Sequence, residues 1–138
     1  MQISSKLMAM LQGFYFFTTA IWPFIRLPSF LFVTGPKTDI WLLYTVSTPL
    51  LVIGLVLLLA GLRNSVTLDL KLLAMASASG LILIDIVYSS NNTIADIYRY
   101  DAAAEIILLA GWAFAEVKGG EKRCSKMNLG EVWQKSNL

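Results

Sequence analysis

Long apolar stretches alternate with short polar segments along the chain. Four stretches approach the roughly 20 apolar residues with which a helix crosses about 30 Å of hydrocarbon, at about residues 7–25, 41–62, 72–90 and 101–117. Because lipid offers no hydrogen bonds to the backbone, each span should be helical. The pattern therefore predicts an all-α protein, an integral membrane four-helix bundle over residues 1–117, followed by a polar cytoplasmic tail over residues 118–138.

The basic residues are divided unevenly between the two ends of this bundle. Of the 11 Lys and Arg residues, only Arg26, Lys37 and Arg99 lie on the side opposite the two termini. Cytoplasmic segments of membrane proteins carry the excess of Lys and Arg. We therefore expect both termini in the cytoplasm and loops facing outward at about residues 26–40 and 91–100. The single cysteine, Cys124, would then be a free thiol in a reducing compartment.

Composition supports a membrane protein and excludes several functional classes. The mean hydropathy is +0.66, and 14% of residues are charged, against about 25% in soluble domains. The absence of histidine and the single cysteine exclude a His-ligated haem or zinc, a Ser-His-Asp triad and an internal disulfide. A net charge of +2 is too small for a nucleic-acid-binding protein. We therefore expect no cofactor, no metal site and no nucleic-acid partner.

Small residues cluster in the third and fourth predicted spans. Ala74, Ala78 and Gly80 lie in the third, and Ala102 and Gly111 lie in the fourth. Helices in lipid associate closely where their side chains are small. We therefore expect these two spans to form an antiparallel pair.

The segment between the first two spans reads VTGPKTDIW at residues 33–41. Gly35-Pro36 predicts a turn, and Thr38 or Asp39 can cap the second helix, because a side-chain oxygen there accepts from the free N–H groups of the first turn. Tryptophans that flank such a loop are typical anchors at the headgroup level. Alternatively, the loop contacts an anion or a lipid headgroup beside the helix N-terminus. The candidate contacts are then Lys37, Thr38, Trp22 and Trp41.

Two acids lie inside the apolar spans, Asp85 in the third and Glu105 in the fourth. Each is about five residues from the outer end of its span, which places both roughly 7 Å below the outer boundary of the membrane. Asp101 precedes Glu105 by four residues and shares its helix face. A carboxyl at the centre of a membrane helix costs about 2.5–3.5 kcal/mol. These acids must therefore be paired, take up a proton or reach water.

Two interpretations of the acids follow. In the structural interpretation, Glu105 pairs with Arg99, and Asp85 accepts a hydrogen bond from a nearby donor. The donors available to Asp85 are Tyr88, Thr18 and Trp22. In the functional interpretation, Asp85 and Glu105 approach each other and share a proton or a cation. The candidate residues of such a site are Asp85, Glu105, Asp101, Tyr88 and Arg99.

Three strings of the sequence stand out together. They are VTGPKTDIWLLYTV at residues 33–46, IDIVY around Asp85 and YDAAAEI around Glu105, with Gly13, Trp22-Pro23 and Phe30 preceding the first. These strings resemble a family of small, largely uncharacterised bacterial four-helix inner-membrane proteins with a VTGPKTDxW outward-loop motif. The likeness covers roughly residues 10–115 and departs from the family pattern at Tyr44, where Arg or Lys is usual. It implies a location in the bacterial inner membrane and no particular activity.

Three functions are compatible with these features. The first is a non-catalytic accessory or structural subunit of a larger membrane assembly, because the chain is small and lacks a recognisable set of catalytic residues. The second is a small proton- or cation-coupled carrier that uses Asp85 and Glu105. The third is an enzyme acting on a lipid or isoprenoid at the outer leaflet, with acids as general acid and base. The expected partners are the lipid bilayer and either other membrane subunits or further copies of this chain.

Overall fold

The computed structural model describes residues 4–90, 95 and 97–136, and side chains among them as far as residue 117. Four helices form this part of the chain: α1 (Ser5–Thr34), α2 (Ile40–Leu62), α3 (Leu68–Ser90) and α4 (Ile97–Ser136). Helices α1, α2 and α3 are long and apolar enough to cross a membrane. The all-helical fold is thereby confirmed, and three of the four predicted spans coincide with helices of membrane-crossing length.

Helix α1 runs further than the sequence predicts. The apolar pattern ends the first span near residue 25 and places a loop over residues 26–40, but α1 continues to Thr34. Its helical geometry is interrupted at Arg26, with φ −144° and ψ 72°. Pro28 accounts for the break, because a proline inside a helix lacks a donor and clashes with the preceding turn. The connection to α2 is therefore short and begins at Gly35, whose φ of +85° favours glycine.

Helix α4 also extends beyond its predicted span. It covers 40 residues, so the segment predicted as a polar tail is helical as far as Ser136. The four prolines of the chain all precede α4, and nothing in its sequence forces a stop near residue 117. Hydropathy located the apolar part of this helix but not its end, because a helix can leave the apolar layer without changing its backbone.

Two glycines bring α1 and α2 into backbone contact. A Cβ atom on Gly13 would lie 2.6 Å from the Leu58 amide nitrogen, and one on Gly54 would lie 2.6 Å from the Phe17 amide nitrogen. Such distances leave no room for a side chain, so the crossing requires glycine at both positions. Close approach at small residues is a common mode of helix association in lipid. Among the described residues α1 and α2 form the most extensive helix pair, which the sequence analysis did not predict.

The expected pairing of α3 with α4 is present as the second most extensive. Ala74 and Ala78 are buried, as the small-residue pattern predicts. The two glycines of the pattern do not lie between α3 and α4. Gly80 faces open space, and a Cβ atom on Gly111 would lie 2.5 Å from the Met8 side chain of α1. Only part of the small-residue pattern therefore serves this helix pair.

The buried core lies at the end of the bundle that holds the start of α1, around Trp112. Gln12 is fully buried there. Its Nε2 donates to the Ala74 carbonyl oxygen at 2.8 Å, and its Oε1 accepts from Trp112 Nε1 at 2.6 Å. The one strongly polar side chain of the first span thus joins α1, α3 and α4. This network fixes the three helices relative to one another and positions the acidic residues that lie further along them.

Candidate functional site

A partly open cavity of about 550 Å³ lies between the four helices, beyond the Gln12 network. Its wall combines aromatic rings and aliphatic side chains with three carboxyl groups, those of Asp85, Asp101 and Glu105. The described residues that line it include no lysine or arginine. We call it the acid cavity, because its described lining is acidic and apolar.

The three acids of the cavity come from two helices. Asp101 and Glu105 occupy successive turns on one face of α4, and Asp85 approaches them from α3. Asp85 and Asp101 interact electrostatically. Glu105 interacts electrostatically with both. The structure therefore places Asp85, Glu105 and Asp101, three of the five candidate residues of the functional interpretation, around one cavity.

Burial separates these carboxyl groups from solvent. Asp85 is 5% exposed and Glu105 is 1% exposed. Within the described part of the chain, Asp85 Oδ2 and both carboxylate oxygens of Glu105 have no hydrogen-bond partner. Leaving a buried polar group without a partner costs roughly 1–3 kcal/mol, and more when the group is charged. A proton or a cation from outside the protein would satisfy these oxygens.

Tyr15 is a site residue that the sequence analysis missed. Its hydroxyl donates to Asp101 Oδ1, and its side chain lines the acid cavity. Asp101 is therefore held by a donor from α1, in contrast to Glu105. Tyr15 follows Gln12 by three residues, so the two share a helix face. That spacing from the one strongly polar residue of the first span was the signal that could have identified it.

The side chains expected to donate to Asp85 either donate to other acceptors or lie outside the acid cavity. The Thr18 hydroxyl donates to two carbonyl oxygens of its own helix, at 2.8 Å and 3.1 Å, as hydroxyls inside helices commonly do. Trp22 Nε1 donates to Ser29 Oγ at 2.8 Å. Tyr88 is 48% exposed and lies outside the set of residues that line the acid cavity. The structural interpretation therefore does not describe the surroundings of Asp85.

Arg99 lies beside Ser89 rather than beside Glu105. Its Nε donates to Ser89 Oγ at 3.0 Å, and the two residues line a separate pocket of about 210 Å³ between α3 and α4. Because neither carboxylate oxygen of Glu105 has a partner among the described residues, the expected Glu105–Arg99 pair is not formed. Six residues separate the two along α4, which turns them about 120° apart around the helix axis.

Lys37 contacts a residue of the cavity wall but does not line the cavity itself. Lys37 Nζ is 4.9 Å from the centroid of the Tyr98 ring, a cation–π distance, and Tyr98 lines the acid cavity. Thr38 donates its hydroxyl to Asp39 Oδ2 at 3.2 Å. Asp39 is the N-cap residue of α2 but its side chain makes no capping hydrogen bond. The predicted position of the cap is confirmed, and the predicted side-chain cap is wrong.

The two tryptophans that flank the loop differ in their surroundings. Trp41 is 68% exposed at the first turn of α2, the position expected of a headgroup anchor. Trp22 lines the acid cavity and packs edge-on against Phe30, with ring centroids 5.7 Å apart. Trp22 is therefore part of the candidate site rather than only an anchor.

This arrangement suits the binding of a proton or a cation. Three carboxyl groups without a basic neighbour in the cavity lining attract positive charge, and a low local dielectric strengthens the attraction. In the part of the chain that the structure describes, no group of three or more Asp, Glu, Cys or His side chains could hold a metal ion. The carboxyl groups that line the cavity can hold a proton or a cation.

The strings that carry the family resemblance converge on this end of the bundle. IDIVY contributes Asp85 to the acid cavity, YDAAAEI contributes Asp101 and Glu105, and the loop motif places Lys37 on the Tyr98 ring. The resemblance stays a prediction, and the function is inferred from the geometry of the acid cavity. No family model, curated protein or solved structure matches the chain.

Proposed function

We propose that this chain is a small multi-pass membrane protein that binds a proton or a cation in the acid cavity and, as an oligomer, carries it. One observation carries the proposal: Glu105 lines the cavity, is 1% exposed, and has no described partner for either carboxylate oxygen. Ionisable residues inside membrane helices are costly and typically mark proton and ion pathways. An oligomer is expected because four helices alone rarely enclose a pathway.

We place all four helices in the inner membrane of a bacterium, with both termini in the cytoplasm. The first half of α4 supports its role as a fourth span, because its outward surface is apolar while Glu105 faces inward. The exposed side chains of this surface include Ile106, Ile107, Phe114 and Val117. The excess of basic residues on the side of the termini supports the orientation. The acid cavity then lies in the outer half of the bundle.

A purely structural role as an accessory subunit explains less of the molecule. The Gln12 network and the contact of Gly13 with Gly54 would suit a rigid scaffold for partner subunits. They leave Glu105 without a role, because a scaffold would be more stable with an apolar residue there. The accessory function predicts that partner proteins are recovered when the chain is purified from native membranes in mild detergent.

An enzyme acting on a phosphorylated lipid also receives little support from the geometry. A phosphate in the acid cavity would approach three carboxyl groups, and like charges repel. Lys37, a candidate anion contact of the loop, lies on the Tyr98 ring and does not line the cavity. The charges of the cavity thus favour a cationic ligand over an anionic one.

Flux measurements in proteoliposomes test the proposed function. Glu105→Gln and Asp85→Asn replace each carboxyl by an amide of nearly the same shape, and Asp69→Asn is the matched control, an exposed acid in the first turn of α3. With an imposed proton or cation gradient, we expect flux in the wild type and in Asp69→Asn, and flux at the level of protein-free liposomes in the two cavity variants. Equal flux in all four proteins, or none above protein-free liposomes in the wild type, would contradict the proposal.

A further inference from the structure

The acid cavity is larger and more apolar than a proton site requires. A volume of about 550 Å³ falls within the roughly 300–1,000 Å³ of pockets that bind small organic molecules. Trp22 and Phe30 contribute aromatic rings to its wall, and Leu43 and Leu50 contribute aliphatic surface. A proton or a hydrated inorganic ion gains nothing from such a wall, whereas an organic ligand gains by burying its carbon atoms there.

The polar part of the cavity offers hydrogen-bond acceptors. Three buried oxygens, Asp85 Oδ2 and Glu105 Oε1 and Oε2, have no donor among the described residues. A primary ammonium group carries three N–H donors and one positive charge, so its donors equal these free acceptors in number. A quaternary ammonium has the charge but no donor, and an alcohol has one donor but no charge. The free oxygens therefore favour a protonated amine over both.

The surroundings of these oxygens are fixed before any ligand arrives. Tyr15 holds Asp101 beside them. Trp22 is held by its hydrogen bond to Ser29 at 2.8 Å and by its edge-on contact with Phe30. A pre-organised site spends less of its binding free energy on ordering side chains. At the rim of the cavity the Lys37 ammonium lies over the ring of Tyr98. An ammonium group therefore already contacts an aromatic ring there.

We infer that the acid cavity binds an organic amine in its protonated, monovalent form. The ammonium group occupies the free oxygens of Asp85 and Glu105, and the apolar body lies against Trp22 and Phe30, where a ring also attracts the positive charge. This inference rests on the proposed function, since it names the class of cation that the acids take.

Calorimetric titration of the purified full chain in detergent micelles tests the inference. The probes are phenethylammonium, phenethyl alcohol, phenethyltrimethylammonium and sodium ion, with empty micelles as the blank for partitioning. We expect phenethylammonium to bind, and the alcohol and the quaternary ion to bind more weakly by about tenfold or more, because each loses charge-assisted hydrogen bonds. Glu105→Gln should lower the affinity for phenethylammonium by a similar factor, and Asp69→Asn should leave this affinity unchanged.

The fluorescence of Trp22 reports where the amine binds. Phenethylammonium should change the tryptophan emission of the wild type, and Trp22→Phe, which keeps an aromatic ring, should bind the amine with most of that change lost. An unaltered change in Trp22→Phe would place the amine elsewhere and overturn the inference. Equal affinity for the quaternary ion would also overturn it.

Failure of this inference differs from failure of the proposed function. If phenethylammonium does not bind while proton or sodium flux still depends on Glu105, the cavity takes a small cation and only the amine inference is wrong. If the amine does not bind and flux is also insensitive to Glu105→Gln and Asp85→Asn, both are wrong.

Discussion

Asp101 and Glu105 occupy successive turns of α4, but the hydroxyl of Tyr15 donates to Asp101, whereas Glu105 has no hydrogen-bond partner among the described residues. Glu105 is also the more deeply buried of the two. One acid is thus fixed by the protein, and the other is left for something outside it. Ionisable residues inside membrane helices are costly and typically functional.

Removal of the Glu105 carboxyl should stabilise the protein. Glu105→Leu replaces a buried group without partners by an apolar side chain, and we expect a gain of about 1–3 kcal/mol in the free energy of unfolding. Asp101→Leu is the matched comparison, since it deprives the Tyr15 hydroxyl of its acceptor and should lower stability. Thermal unfolding in detergent measures both. A lower midpoint for Glu105→Leu would show that the carboxyl has a stabilising partner.

Removal of the Gln12 amide should have the opposite effect. Gln12→Leu leaves Trp112 Nε1 and the Ala74 carbonyl oxygen unpaired in the core, and we expect a loss of about 1–3 kcal/mol. Thr18→Val is the control, because the Thr18 hydroxyl bonds only to carbonyl oxygens of its own helix in the described structure. The same unfolding assay compares the two. If both variants unfold at the wild-type temperature, the network between α1, α3 and α4 does not contribute to stability.

The crossing of α1 and α2 makes a prediction about alanine. Gly13→Ala and Gly54→Ala each place a Cβ atom 2.6 Å from a backbone nitrogen of the facing helix, so both should force the helices apart and lower the unfolding temperature. Gly80 faces open space, and Gly80→Ala should be neutral or stabilising by up to about 1 kcal/mol through helix propensity. Equal effects at the three positions would contradict the close crossing.

Hydropathy was sufficient to predict the number and order of the helices, because each of the four apolar stretches must be helical if it lies in lipid. It could not predict that α1 continues past Arg26, since Pro28 favours an end to the helix there. Nor could it predict that α4 continues past residue 117, since polar residues are compatible with either helix or loop. It predicted a similar depth for Asp85 and Glu105, because depth along adjacent spans follows from helical rise, but it left open whether the two side chains face each other.

The partners of these acids were not predictable in the same way. Which side chain reaches Asp101 depends on how α1 is rotated against α4, and that rotation is set where Gln12 of α1 bonds to Trp112 of α4. Single-sequence spacing carries no information about contacts between distant helices. The same limit explains why Arg99 was expected beside Glu105 and why Trp22 was expected either at the headgroup region or as a donor to Asp85.

The single cysteine provides a test of the proposed orientation. Cys124 belongs to the segment placed in the cytoplasm, so a membrane-impermeant maleimide should fail to label it in intact cells and should label it in inverted membrane vesicles. Lys37→Cys in a Cys124→Ser background should behave in the opposite way. The extent of labelling is read by the mass shift of the purified protein. Labelling of Cys124 from outside sealed cells would contradict the proposed orientation.

Infrared difference spectroscopy tests the central claim most directly, because it observes whether the buried carboxyl groups themselves exchange protons. When the pH of the reconstituted protein is lowered, we predict that a C=O stretching band of protonated carboxyl appears. This band should be weaker in Glu105→Gln and also weaker in Asp85→Asn. In Asp69→Asn it should lose only the contribution of that exposed acid. Difference spectra of Glu105→Gln and Asp85→Asn that match the wild type would show that neither acid takes up a proton and would contradict the account.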